Sequence, residues 1–187
     1  MKKLFVLFVA LVSIGAVQAQ QVEAKINPLG ALFGSPEISA EYIVSDNFGV
    51  ELGASFAFGR ASFVSVDDTF EPTKSGFGLK LAGKYYFSPE DGADKWYGDI
   101  YLRQESITIE DKNNQGYQGF KRSIFAGGIE FGYKWAFDSG LLLELAGGGG
   151  RAFSEKNEWI DANNNSEDYG IKFGFDITGK FAIGYRF

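Results

Sequence analysis

Fourteen charged side chains fall on one parity of alternating segments. Glu41, Glu51, Asp99, Glu105, Glu130, Glu144 and Asp176 stand against Lys80, Lys84, Arg103, Lys134, Lys172, Lys180 and Arg186, seven of each sign. Sets such as Glu130 with Lys134, or Asp176 with Lys172 and Lys180, have the make-up of an acid–base pair or an ion-conducting ring. Equal numbers of opposite charges also suit a closed interior, where buried ions must find partners. A structural charge network is the favoured reading.

Other chemistry is sparse. The chain has no His and no Cys, and Met1 is its single Met. The commonest general base, the commonest metal ligand, disulfides and thiol chemistry are therefore excluded. Gly147 to Gly150, followed by Arg151, lack the Lys-Ser/Thr ending of a phosphate loop and precede no helical pattern. Asp161 to Asp168 carry oxygen ligands at alternate positions, as calcium loops do. Yet Ser166 holds the sixth position instead of Gly, and Lys172 the twelfth instead of Glu. A solvated surface loop is the simpler reading, with Trp159 on it as a contact for a partner or for lipid headgroups. No cofactor, metal or catalytic residue is assigned, and the chain is read as not an enzyme.

The elements that must position the charges are strands. Period-two alternation runs through 38–44, 48–58, 77–87, 125–135, 141–148 and 171–187, and more weakly through 21–33 and 95–110. In the last segment Ile171, Phe173, Phe175, Ile177, Phe181, Ile183, Tyr185 and Phe187 share one parity. Lys172, Asp176, Lys180 and Arg186 share the other, so one strand face is apolar and the other polar. That makes eight expected strands.

The connections alternate in length. Residues 45–47, 88–94 and 138–140 read as compact turns, and 64–75, 111–121 and 155–168 as long polar loops. Gly34-Ser35-Pro36 is a short exception. Short turns at one end and long loops at the other are the pattern of an outer-membrane barrel. An even strand count returns both termini to the periplasmic side.

Residues 1–19 read as a secretory signal peptide: Lys2-Lys3, an apolar stretch from Leu4 to Val17, then Val17-Gln18-Ala19. Residues 20–187 form the barrel domain. Lys plus Arg total 18 and Asp plus Glu 24. Removing Lys2 and Lys3 leaves 16 − 24 = −8, a balance that argues against nucleic-acid binding.

Alternation does not say which face points inward. A soluble barrel would put the apolar face inside. Balanced charges, abundant Gly, Ala, Ser and Thr among them, and two groups of aromatics favour the inverted, lipid-facing arrangement. Trp96, Tyr85, Phe87, Trp135, Phe137, Tyr185 and Phe187 map to the periplasmic end. Phe56, Phe58, Phe77, Phe125 and Tyr169 map to the other.

The pattern resembles the small eight-stranded outer-membrane barrels of the OmpA/OmpX type. Phe181, Ile183, Tyr185 and Phe187 look like their terminal signature, which implies recognition by the barrel-assembly machinery. Lys25-Ile26-Asn27-Pro28-Leu29, Leu32-Phe33-Gly34 and Ser39-Ala40-Glu41-Tyr42 are similar to the start of an uncharacterised Bacteroidota barrel family. The enzymes of that barrel class carry a His in their sites, which this chain lacks.

The expected protein is an all-β, eight-stranded antiparallel up-and-down transmembrane β-barrel, multi-pass in the cell outer membrane of a Gram-negative bacterium. Its partners are outer-membrane lipid, the assembly machinery, and an extracellular or envelope protein met through the loops. The role is structural or surface-interactive, with the charge network filling the lumen. The alternative is a narrow, porin-like channel for ions or small polar solutes.

Overall fold

The computed structural model describes residues 21–32, 34–60, 72–111, 119–161, 165–168, 170 and 172–187. The expected signal peptide and Tyr169 lie outside them.

Alternating polarity becomes alternating burial. Strand β1 (Val22–Asn27) turns Glu23, Lys25 and Asn27 inward and leaves Val22 and Ile26 exposed. A five-residue helical turn, α1 (Pro28–Leu32), leads to β2 (Glu37–Ser45) and β3 (Phe48–Arg60). Then follow β4 (Pro72–Tyr86), β5 (Lys95–Asp111), β6 (Gly119–Ala136) and β7 (Leu141–Ile160). The three-residue β8 (Ser166–Asp168) and β9 (Phe175–Arg186) complete the chain.

Strands β1 to β7 pair antiparallel in chain order. Strand β9 pairs with β7 on one side and β1 on the other, so eight strands close a ring with no free edge along it. The eight expected strands are these. β8 is an addition that pairs only with β7, at Ile160↔Ser166 to Glu158↔Asp168.

The outer face is greasy. Ile100, Leu102, Ile129, Phe131, Leu145 and Ile177 are exposed on it, the reverse of a protein folded in water and the arrangement of a lipid-facing band. Aromatic rings border the band. Below, Trp96 meets Tyr133 at 5.0 Å and Tyr185 meets Phe187 at 5.1 Å. Above, Phe56 meets Phe77 at 5.4 Å and Phe125 meets Phe153 at 5.8 Å.

The wall is uneven in height. β1, β2 and β9 have 6, 9 and 12 residues, whereas β5, β6 and β7 have 17, 18 and 20. The tall strands run into segments expected to be loops: Pro72–Ser75, Gly119–Lys121 and Glu155–Ile160 are all paired. The reason lies in the side chains. Above Gln104 the polarity of β5 inverts, because Ile107 and Ile109 now take the inward parity and Ser106, Thr108 and Glu110 the outward one. On β6, Ile124 is buried and Phe120 half-buried on the same inner side. A β-bulge at Phe125/Ala126 brings Trp159 to that side as well. Trp159 is half-buried against Phe120, 5.6 Å between ring centres, instead of standing free on a loop.

The last strand is shorter than its alternation suggests. Gly170 and Gly174 have φ of 73° and 70°, a left-handed conformation that ends an extended run. β9 therefore begins at Phe175.

Candidate functional site: the charged lumen

The lumen divides into two levels. The lower is a buried knot of charges. Lys25 Nζ donates to Glu51 at 2.6 Å, to Glu144 at 2.8 Å and also to Glu41. Lys84 Nζ reaches the same three carboxylates at 2.7 to 3.0 Å. Lys134 donates to Glu23 at 2.7 Å and to Glu41 at 3.0 Å. Lys180 bridges Glu51 and Glu144, and Arg186 binds Glu23 at 2.8 Å. The Tyr86 hydroxyl donates to Glu41 at 2.6 Å, and that of Tyr97 to Glu144.

Residues from β1, β2, β3, β4, β5, β6, β7 and β9 thus meet in one network. Lys134, Glu41 and Tyr97 are all 0 % exposed. Lys84 stacks over Tyr97 and Lys134 over Tyr86, each 4.6 Å from the ring centre, so cation–π attraction adds to the ion pairs. Small inward residues make the room. A Cβ at Gly132 would lie 2.5 Å from the Tyr97 hydroxyl.

Glu41, Glu51 and Glu144 converge closely enough to hold a metal ion. The ammonium groups of Lys25 and Lys84 already sit among them.

The upper level is looser. Lys80 binds both Glu130 oxygens at 2.6 Å. Arg103 pairs with Asp176 and stands 3.4 Å from Glu105, while the Tyr101 hydroxyl donates to Asp176 at 2.9 Å. A chamber of about 310 Å³ opens here, walled by Glu37, Lys80, Arg103, Glu105, Glu130 and Thr178 among others. Above it, Arg122 binds Glu155 at 3.0 Å, and Glu155 also accepts the Gly174 amide at 3.1 Å. Burial opposes ionisation of Glu155. The Gly174 amide and the bonds from Asn157 and Arg122 outweigh it and hold the carboxyl below its ordinary range.

Of the fourteen expected lumen charges, thirteen face the interior. Glu41, Glu51, Lys84, Lys134, Glu144, Lys180 and Arg186 join the knot, and Lys80, Asp99, Arg103, Glu105, Glu130 and Asp176 the upper level. Lys172 does not. It is exposed and precedes β9, because the glycines beside it break the strand. The sequence reading missed Glu23, Lys25, Tyr86, Tyr97 and Tyr101. Their parity was the available signal: Tyr86 follows Lys84 by two residues, and Glu23 and Lys25 alternate with Val22 and Ile26.

The glycine run 147–150 is ordinary β7 strand. In the acidic segment, Asp161 accepts the Asn165 backbone amide at 2.7 Å and its side-chain amide at 3.1 Å. Phe181, Ile183, Tyr185 and Phe187 lie together on the outer face at the chain terminus.

The comparisons agree with this architecture. Residues 4–180 match the model of a family described as Protein of unknown function (DUF3575), and the chain belongs to that family. Among solved structures it is similar to a major outer membrane protein from Thermus thermophilus. That likeness has a TM-score of 0.51 and 14 % identity, covering 90 % of this chain and 98 % of that one. The N-terminal beta-barrel domain of Pseudomonas aeruginosa OprF gives 0.48 and 15 %, covering 89 % and 97 %. The E. coli Outer Membrane Protein W gives 0.45 and 12 %, covering 91 % and 100 %. No curated protein matches the chain. What is shared with the Thermus protein is the fold.

Proposed function

We propose that this DUF3575 member is an outer-membrane protein whose barrel anchors a tall extracellular wall, with a lumen closed to through-flow. Its role is structural or surface-interactive. The lipid-facing outer surface supports the location. The observation that carries the closed lumen is the knot of Lys25, Lys84, Lys134, Glu41, Glu51 and Glu144, whose ammonium and carboxylate groups lie 2.6 to 3.0 Å apart in most pairs. An eight-stranded lumen is just wide enough for its side chains, and here long ones from eight strands fill it.

The exposed outer run Phe181, Ile183, Tyr185 and Phe187 is read as the signal for barrel assembly. The projecting strands β5, β6 and β7 offer the surface for an envelope or extracellular partner.

Ion and solute flux through liposomes carrying the folded protein tests the closed lumen. The expected result is no flux above empty vesicles, and a Lys134→Gln variant that loses stability without gaining conductance. Ion-selective flux that changes with Lys134→Gln would instead establish the channel.

A further inference from the structure

The ring closes low on one side. β1 pairs with β9 only from Glu23↔Arg186 to Ile26↔Ile183. Above that level β9 continues to Phe175 with β7 along one edge. Along its other edge no strand among the described residues pairs with 175–181. The Phe181 amide donates there to the Asn27 side chain at 3.4 Å. The α1 turn fills the gap and packs against β9. Across the gap the chain is tied to β3, where the Pro36 and Gly34 carbonyls accept the Phe56 and Phe58 amides at 3.0 and 3.1 Å. A seam without a strand ladder therefore runs between upper β9 and the start of β2. In an apolar surrounding such an edge gains from a polar group that enters it.

Two spaces meet at the seam. Inside is the chamber of about 310 Å³, which reaches it at Asn27, Gly30, Ile177 and Gly179. Outside, an apolar groove of about 550 Å³ lies lower on β1, β2 and β3, where Ala24, Ala40 and Ala54 are small among Ile26, Ile38 and Leu52. Gly53 and Leu79 line both spaces, so one thickness of wall separates them.

The chamber's charges stand in rows set by register. Glu37, Ser55, Gly78 and Glu105 share one row across β2, β3, β4 and β5. Ser39, Gly53, Lys80 and Arg103 share the row below. Glu37 leans over Gly53, where a Cβ would lie 2.7 Å from its Oε1. It is in no ion pair among the described residues, and Glu105 stands 3.4 Å from Arg103. Lys80 and Arg103 bind Glu130 and Asp176 and still have N–H donors to give. With Glu130 and Lys180 the lining holds three acids and three cations. Such a chamber suits a guest that carries both signs and no net charge.

We propose that seam, chamber and groove form a site for one zwitterionic phospholipid. Its phosphate meets the row of Lys80 and Arg103, and its ammonium the row of Glu37 and Glu105. Its tail leaves through the seam and lies in the outer groove. A charged chamber does not suit a tail, nor an apolar groove a head, so one molecule filling both is amphiphilic. This inference rests on the outer-membrane placement proposed above and gives the surface role a lipid partner.

Lipid-selective quenching tests it. The chain has no Cys, so Leu81→Cys, across from Leu52 of the groove, takes a single fluorophore. Ile129→Cys, on β6, is the reference on the opposite wall. Both residues are exposed on the outer face. The full-length barrel is folded into vesicles of equal parts phosphatidylethanolamine and phosphatidylglycerol, with a nitroxide on the tails of one lipid or the other. At residue 81 phosphatidylethanolamine should be preferred about fivefold, the scale of one partly exposed ion pair. At residue 129 the two lipids should quench alike. Glu37→Gln takes away the ammonium's partner and Ala40→Phe fills the groove, and each should remove the preference. Equal quenching at residue 81, the same preference at residue 129, or a preference that survives either variant would overturn the site. Absence of quenching by both lipids at both positions would instead overturn the membrane placement, and the site with it.

Discussion

The floor and the chamber of this lumen are built from the same residue types and behave as opposites. In the floor, carboxylates are shared among ammonium groups and capped by tyrosine hydroxyls, and almost no side chain is exposed. In the chamber, Lys80 holds Glu130 and Arg103 holds Asp176 in separate groups, and about 310 Å³ stays open. Charge composition alone therefore does not decide whether a barrel interior is sealed. What decides is how many acids and cations converge at one height, and whether glycines beside them admit large rings such as that of Tyr97.

Variants of the two levels should separate by size of effect. Lys84→Met, in the floor, strands Glu41, Glu51 and Glu144 with one shared cation fewer. Urea unfolding of the barrel in lipid vesicles should show a loss of about 3–5 kcal/mol, the cost of breaking a buried ionic group. A loss comparable to a surface change would erase the distinction between floor and chamber.

Gly132→Leu should come next, at roughly 1–3 kcal/mol, because it overpacks the space held by the Tyr97 ring. The same assay reads it, and Tyr97→Ala in the same chain should recover part of the loss. Independent effects of the two changes would mean that the ring and the glycine do not share that space.

In the chamber, Tyr101→Phe removes a 2.9 Å bond to Asp176 but leaves Arg103 on that carboxylate. The expected loss is about 1 kcal/mol, within the range for a single hydrogen bond. A loss as large as that of Lys84→Met would show the chamber to be as tightly built as the floor.

The smallest effect belongs to the rim. Arg122→Ala breaks a partly exposed pair with Glu155 and should cost about 0–1 kcal/mol. The Glu155 carboxyl is held below its ordinary value, so its contribution is present above the unfolded value of about 4.3. It fades as pH falls through the folded one. Amide exchange at Gly174, compared between wild type and Glu155→Gln, should therefore differ near neutral pH and converge in acid. A difference that persists in acid would point to a contact other than the ionised carboxylate.

Legibility in the sequence follows the same division. Where one face is apolar and exposed and the other charged and buried, alternation is strict, and segments such as 48–58 and 125–135 were readable as strands. Above the apolar outer band the inward face turns apolar at Ile107, Ile109, Phe120 and Ile124 and the outward face polar. Following one parity ends β6 and β7 too early there, although β5 was legible, less cleanly, through residue 110. Lys172–Gly174 misled in the opposite sense, because alternation continued although Gly174 had left the extended conformation. Lys172 was lost from the lumen for that reason.

The sequence by itself determined the all-β class, the antiparallel up-and-down order, the short and long ends, and thirteen of the charged side chains that face inward. Each of these depends on local periodicity and turn chemistry, which neighbouring residues carry. Only the tertiary structure decided which acid meets which cation. That depends on the stagger between strands distant in sequence, and stagger places Glu144 of β7 beside Lys25 of β1 and Lys84 of β4 while leaving Asp99 of β5 with Glu130. A balanced list of charges thus became a close-knit floor and a looser chamber, because ion pairing is a matter of height and distance, which composition does not hold.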